Sequence, residues 1–319
     1  MKRIFITITI LVFSLLVLVA FNNYSSNNKP QPKSNLTRVK IAFSPYVSPF
    51  FVAIDKGIFE KYGIKAELVS IPSSNNAMYA LSKGDIDVVS APYSVFFAYE
   101  NAVPGEFKIF SGVIETLDKP YSFLIVKKDI NSIGELKGKK ILTRSGTNGK
   151  MQAELVLKGL GINLDEVEIV QVSSTLTAQT FVKPDIAAAI DNEPSSTSIV
   201  QKAGGKILIE AVRPKYLTNP YASTGNAFST KFAKNKDLAD RFTRANDEAI
   251  DYSRKNDKEF RSINQKYIKL DKEIIFAMPE SVFEKSTELN KTAIKNEMQL
   301  ELDNGILEKA VDLSNVYYK

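Results

Sequence analysis

The chain has 319 residues, with 42 Lys+Arg against 36 Asp+Glu, a formal net charge of +6 and 44% hydrophobic residues, and it contains no Cys, His or Trp. That length suits two lobes of ordinary size better than one small core, and the slight charge excess is too weak for a nucleic-acid protein. Without Cys there is no disulfide, thiolate nucleophile or acylated cysteine, and without His there is no Ser-His-Asp triad or imidazole ligand.

Lys2 and Arg3 precede an apolar run from Ile4 to Phe21, broken only by Thr7, Thr9 and Ser14. As a helix this run measures about 27 Å, close to a thin bilayer's hydrocarbon width, and the flanking cations favour a cytoplasmic start with the remainder exported. Leu18-Val19-Ala20 is a poor match to a small-x-small cleavage site. Residues 1–21 are therefore read as a signal peptide or an uncleaved membrane anchor, the anchor being favoured. Residues 22–37, polar and punctuated by Pro30 and Pro32, read as a flexible tether.

From Arg38 the pattern alternates strand and helix. Arg38–Phe43 is a strand, and Ser48-Pro49 supplies an N-cap and first-turn proline for a helix running to Tyr62. Glu67–Ile71 is a strand, Asn75–Lys83 a helix stopped by Gly84, and Asp87–Ala91 a third strand closed by Pro92. The series recurs about a hundred residues later: Lys40-Ile41 matches Lys140-Ile141, Gly63-Ile64 matches Gly161-Ile162, and Ser73-Ser74 matches Ser173-Ser174. Asp85-Ile86 likewise matches Asp185-Ile186. Alternation of this kind predicts parallel sheets with right-handed crossovers, and two copies predict two similar lobes.

Extended segments at Tyr121–Val126 and Tyr221–Phe228 suit crossings between the lobes. The expected division is 38–122 with 225–319 as lobe 1, and 123–224 as lobe 2. The last third reads as helical, with Leu238, Phe242, Ala245, Ala249 and Tyr252 on one face. The fold class is thus α/β: a two-lobed clamshell of mostly parallel sheets flanked by helices, linked by two crossings, with a helical C-terminal region.

In open α/β sheets ligands sit beyond the carboxyl ends of strands, beside helix N-termini. Those positions nominate Tyr46, Ser73, Asn75, Asn76 and Tyr93 in the first copy. In the second they nominate Ser145, Thr147, Asn148, Ser174, Asp191 and Glu193. Plain helix capping is an equal account of the Ser, Thr and Asn residues. Helix N-termini favour an anion, whereas Asp191 and Glu193 would suit an amine or aminopyrimidine, so both ligand classes stay open. No phosphate loop, G-x-G-x-x-G or G-x-S-x-G motif is present.

Several segments resemble a known family. Phe51-Val52-Ala53-Ile54-Asp55-Lys56-Gly57-Ile58-Phe59-Glu60-Lys61-Tyr62-Gly63-Ile64 resembles the opening of ABC-transporter substrate-binding proteins that serve nitrate, sulfonate, taurine and thiamine-precursor uptake. Leu81 to Asp87, Ile133 to Ile141, Arg144-Ser145-Gly146-Thr147 and Glu193-Pro194 match later motifs in order, although Asn192 stands where many members carry an aromatic residue. The resemblance implies the type II periplasmic-binding-protein fold. It also implies a monomer that captures a small molecule between its lobes and delivers it to an ABC permease, with no cofactor, metal or nucleic acid. Members in single-membrane bacteria are commonly held by a lipid on a cysteine, which this chain lacks. A clamshell serving a membrane signalling partner is the alternative. A biosynthetic enzyme on the same fold is a further one, but that chemistry depends on histidine and cysteine.

Overall fold

The computed structural model describes residues 36–319 apart from Ser44, Pro45 and Pro72. The apolar run and nearly all of the tether lie outside the described residues. Among the described residues no helix is long and apolar enough to cross a membrane. Arg38–Lys319 form one compact unit.

The first βαβ series is β1 (Thr37–Phe43), α1 (Pro49–Asp55), α2 (Ile58–Lys61), β2 (Ile64–Ser70), α3 (Ser74–Lys83), β3 (Val88–Pro92), α4 (Tyr93–Ala102) and β4 (Phe107–Glu115). The Ser48 side chain accepts a hydrogen bond from the Phe50 N–H, and Pro49 opens α1. The expected single helix to Tyr62 is broken in two, because Gly57 takes a left-handed φ of 66° that ends one turn and starts the next. The second series begins with β5 (Ser122–Val126), β6 (Lys140–Arg144), α5 (Thr147–Gly159), β7 (Glu168–Val172) and α6 (Thr177–Phe181). It ends with β8 (Ile186–Asn192), α7 (Ser195–Lys202), β9 (Lys206–Glu210) and α8 (Val212–Tyr216). The chain then returns through β10 (Tyr221–Ser229) to α9 (Thr230–Ala233), α10 (Lys236–Lys255), α11 (Asp257–Ile268), α12 (Lys272–Ala277), β11 (Val282–Glu284) and α13 (Lys291–Asp303).

Two sheets result, ordered β11-β4-β10-β3-β1-β2 and β7-β6-β8-β5-β9. Strands β1 and β3 pair in parallel, as do β6 with β7 and with β8. The incoming strands β10 and β5 pair antiparallel to β3 and β8. The expected parallel pairing thus holds within β1–β3 and β6–β7–β8, while β3, β10, β4 and β11 in the first sheet and β8, β5 and β9 in the second pair antiparallel. Each sheet is consequently mixed, because a strand arriving from the other sheet runs back along the last parallel strand.

Both faces of each sheet are covered. In β5, Phe123 and Ile125 enter one core cluster while Leu124 and Val126 enter another, the period-two alternation of a strand buried on both sides. On the first sheet, α10 packs Leu238, Phe242, Ala245 and Ala249 against Phe50, Phe59, Phe110 and Phe228. Phe242 lies 4.8 Å from Phe59 and meets Phe228 edge-on at 5.5 Å between ring centroids. The opposite face carries Met78, Leu81, Phe96, Phe97, Ile294 and Met298.

Candidate functional site

A cavity of about 240 Å³ opens beside the carboxyl ends of the parallel strands of both sheets. Phe43 ends β1, Pro92 ends β3, Arg144 ends β6 and Asn192 ends β8, and all four line it. A water's share of liquid volume is about 30 Å³, so the space suits a small organic molecule. The first sheet and its helices supply a largely aromatic and aliphatic wall: Phe43, Val47, Phe50, Phe51, Leu68 and Phe283. The second supplies donors, namely Arg144, Asn148, Gln152 and Arg213.

Arg213, only 4% exposed, is held from several directions. Its Nε donates to Glu115 Oε2 at 2.7 Å, and its guanidinium lies 4.7 Å from the Tyr221 ring centroid. Nη1 lies 3.4 Å from Ser223 Oγ, whereas Nη2 is buried without a hydrogen-bond partner among the described residues. Burial works against the guanidinium charge, but Glu115, Tyr221 and Glu297 outweigh it and hold the group above its ordinary range. A buried cation with a spare donor beside a cavity is a site for an anionic group.

Arg144 lies 3.6 Å from Asp191 Oδ1, and Asp191 is buried behind it. Burial raises the Asp191 carboxyl above its usual value and the arginine opposes that rise. Gln152 Nε2 donates to Asn148 Oδ1 at 2.5 Å and to Tyr221 Oη at 2.8 Å, and Tyr221 donates in turn to Glu297 Oε1 at 2.8 Å. This chain of hydrogen bonds joins α5, β10 and α13 at the cavity floor. Its bond to Asn148 engages the amide oxygen and leaves the N–H₂ as the group to offer.

Of the residues nominated from the sequence, Tyr46, Tyr93 and Asn148 line the cavity. Ser73, Asn75, Asn76, Ser145, Ser174, Asp191 and Glu193 are not among its lining residues. Asn75 and Asn76 sit exposed on the first turn of α3, whose Ala77, Met78 and Leu81 turn inward, and Ser74 beside them is the residue that reaches the wall. Ser145 is exposed, with its N–H on the Val172 carbonyl. Thr147 opens α5. The Ser174 carbonyl accepts from Ser195 Oγ. Glu193 is buried and accepts the Thr197 N–H at 3.2 Å, and burial pushes its carboxyl up to about 7. Arg144 was within reach of sequence reasoning as the last residue of a strand, and Gln152 as the residue one turn after Asn148. Arg213 carries no sequence signal.

A family model described as NMT1/THI5 like matches residues 44–260. The chain belongs to that family. A relative named as an ABC transporter periplasmic binding protein, from Brachyspira hyodysenteriae, is 30% identical over 206 residues, which is 60% of either chain. An aliphatic sulfonates-binding protein of Bacillus subtilis is 25% identical over 297 residues, 91% of this chain and 85% of that one. Among solved structures, the periplasmic aliphatic sulphonate binding protein SsuA of Escherichia coli superposes with a TM-score of 0.72 at 16% identity, covering 91% of this chain and 93% of that one. The NMT1/THI5-like chain therefore has the architecture of a periplasmic binding protein.

Proposed function

We propose that this chain is the extracytoplasmic solute-binding component of an ABC-type importer and that its solute is a small organic anion. The observation that carries the anion is Arg213 on the cavity wall, buried and with its Nη2 left without a partner among the described residues, together with Arg144 on the same wall. Two arginines on the wall, where Asp191 and Glu193 are not lining residues, support an anion over an amine. An apolar wall facing a donor wall suits a solute with an oxyanion head and an apolar body, of the kind named for the sulfonate-binding relative. The contacts we assign are Arg213, Arg144, Asn148 and Gln152 to the head, and Tyr46, Phe43, Phe51 and Tyr93 to the body. The two sheets act as lobes, with 116–121 and 217–221 as the crossings between them.

Titration calorimetry with alkane- and arylsulfonates, carboxylates, nitrate, amines and aminopyrimidines tests this reading. Binding of organic oxyanions with no heat from amines is expected, and tight binding of an aminopyrimidine alone would overturn it. We further propose that residues 4–21 remain as a membrane anchor. N-terminal sequencing of the native protein checks this, since a start near Phe21 would make it a released form.

A further inference from the structure

Glu115 ends β4, the last strand before the first crossing, and is fully buried. Its Oε1 accepts three donors: the Tyr121 N–H at 2.8 Å, the Ser122 N–H at 2.8 Å and the Ser122 hydroxyl at 2.7 Å. Its Oε2 accepts Arg213 Nε, and Ser122 Oγ accepts the Arg213 N–H at 3.0 Å. A carboxylate facing the Nε edge of a guanidinium ordinarily takes both Nε and Nη2 in a two-bond fork. Here the second oxygen is already saturated by the turn at residues 121–122, so the fork stays half-made. Nη2 is left over, a buried donor without a hydrogen-bond partner among the described residues, on a side chain that lines the cavity. The same guanidinium leans on Tyr221 and Ser223 at the start of β10, where the other crossing ends. Glu115 and Arg213 therefore tie the ends of both crossings to the unpartnered atom.

We infer that Glu115, with Ser122 occupying its Oε1, is a positioning residue that holds Arg213 with Nη2 offered to the solute, so that the turn at the first crossing sets the affinity for an anion. The inference rests on the anion reading proposed above. A purely electrostatic role makes the opposite forecast, since a carboxylate beside Arg213 would merely weaken anion binding and its neutralisation would strengthen it.

The test uses the full chain, with benzenesulfonate as the calorimetric probe. Glu115→Asp keeps the charge but shortens the reach, and it should weaken benzenesulfonate at least tenfold. Ser122→Ala removes one of the three donors on Oε1, opening a site there for Nη2, and should weaken it severalfold with little change in melting temperature. In an Arg213→Lys background the Glu115→Asp effect should shrink to less than twofold, because it acts through the arginine. Equal losses in both backgrounds would make Glu115 a structural hinge residue only and overturn the inference, as would tighter binding by Glu115→Gln with Glu115→Asp unchanged. A second measurement needs no ligand: the Arg213 Nε–H resonance, assigned by its loss in Arg213→Lys, should exchange slowly with water in the parent chain and faster in Glu115→Asp. Unchanged exchange overturns the positioning role. Failure of benzenesulfonate to bind the parent chain would count against the anion reading, and the exchange measurement would still decide the role of Glu115.

Discussion

Arg213 and Glu115 form a buried pair, and removing one partner of such a pair costs more than the pair contributes. Arg213→Ala should destabilise the fold by about 3–5 kcal/mol, because it leaves the Glu115 carboxylate buried with only the turn donors. Arg213→Lys should recover more of that loss in a urea melt than of the anion affinity, since an ammonium has no planar fork to divide between Glu115 and a solute. Equal recovery of stability and affinity by lysine would contradict the geometry. Glu193 supplies the contrast. It accepts the Thr197 N–H away from the cavity wall, and glutamine keeps an acceptor oxygen there. Glu193→Gln should leave the calorimetric affinity for an organic anion within about twofold, less than the roughly 0.6 kcal/mol of thermal energy.

At the scale of elements, α5 reaches the cavity through a close approach at Gly149. A Cβ there would lie 2.1 Å from the Arg144 carbonyl oxygen, a backbone atom that cannot swing aside. Gly149→Ala should therefore push α5 off the end of β6 and displace Arg144, Asn148 and Gln152 together. The expected outcome is a loss of stability on the order of 1–3 kcal/mol, as for overpacking, with anion affinity lost alongside it. Retained affinity would show that the α5 donors are not needed. The βαβ repeat was legible because its glycines and prolines sit at element ends: Gly63 and Gly84 take left-handed φ, and Pro49 opens α1. Helix α4, YSVFFAYENA, was hard to read: Tyr93, Phe96 and Phe97 share one face and one core cluster, but the apolar Val95 and Ala98 fall off that face and blur the period. Strand β4 likewise hides an almost continuous apolar run among core residues on both faces. The site divided the same way. Residues at strand ends could be nominated from topology, whereas Arg213 acquires its role from a partner 98 positions away.

Over the whole molecule, the buried carboxyls fix how stability responds to pH. Burial raises Glu297 to about 7, against a hydrogen bond from Tyr221 and the charge of Arg213, and it raises Glu301, one turn along α13, to about 8 with help from Glu297. Burial also lifts Glu284 to about 7. In the unfolded chain each glutamate titrates near 4.5, so between that value and about 7–8 the folded state holds more protons than the unfolded state. Stability is then fully present below the unfolded pKa and falls as pH rises through that window, flattening above the folded values. A gap of one pH unit between the folded and unfolded pKa of a group is worth about 1.4 kcal/mol, so each of these groups should contribute on the order of a few kcal/mol to the fall. Surface acids act the other way. Glu288, held near 2 by its hydrogen bond from Arg254, contributes stability that is lost only in strong acid, below the window of the buried group. Urea midpoints should therefore peak near the unfolded glutamate pKa and decline toward pH 8. The double variant Glu297→Gln with Glu301→Gln removes two of these contributors while an amide oxygen can still accept from Tyr221. It should flatten the decline and raise the midpoint at pH 8 more than at pH 5. A parent chain equally stable at both values, or a variant weakened equally at both, would mean that these carboxyls are not held protonated by the fold.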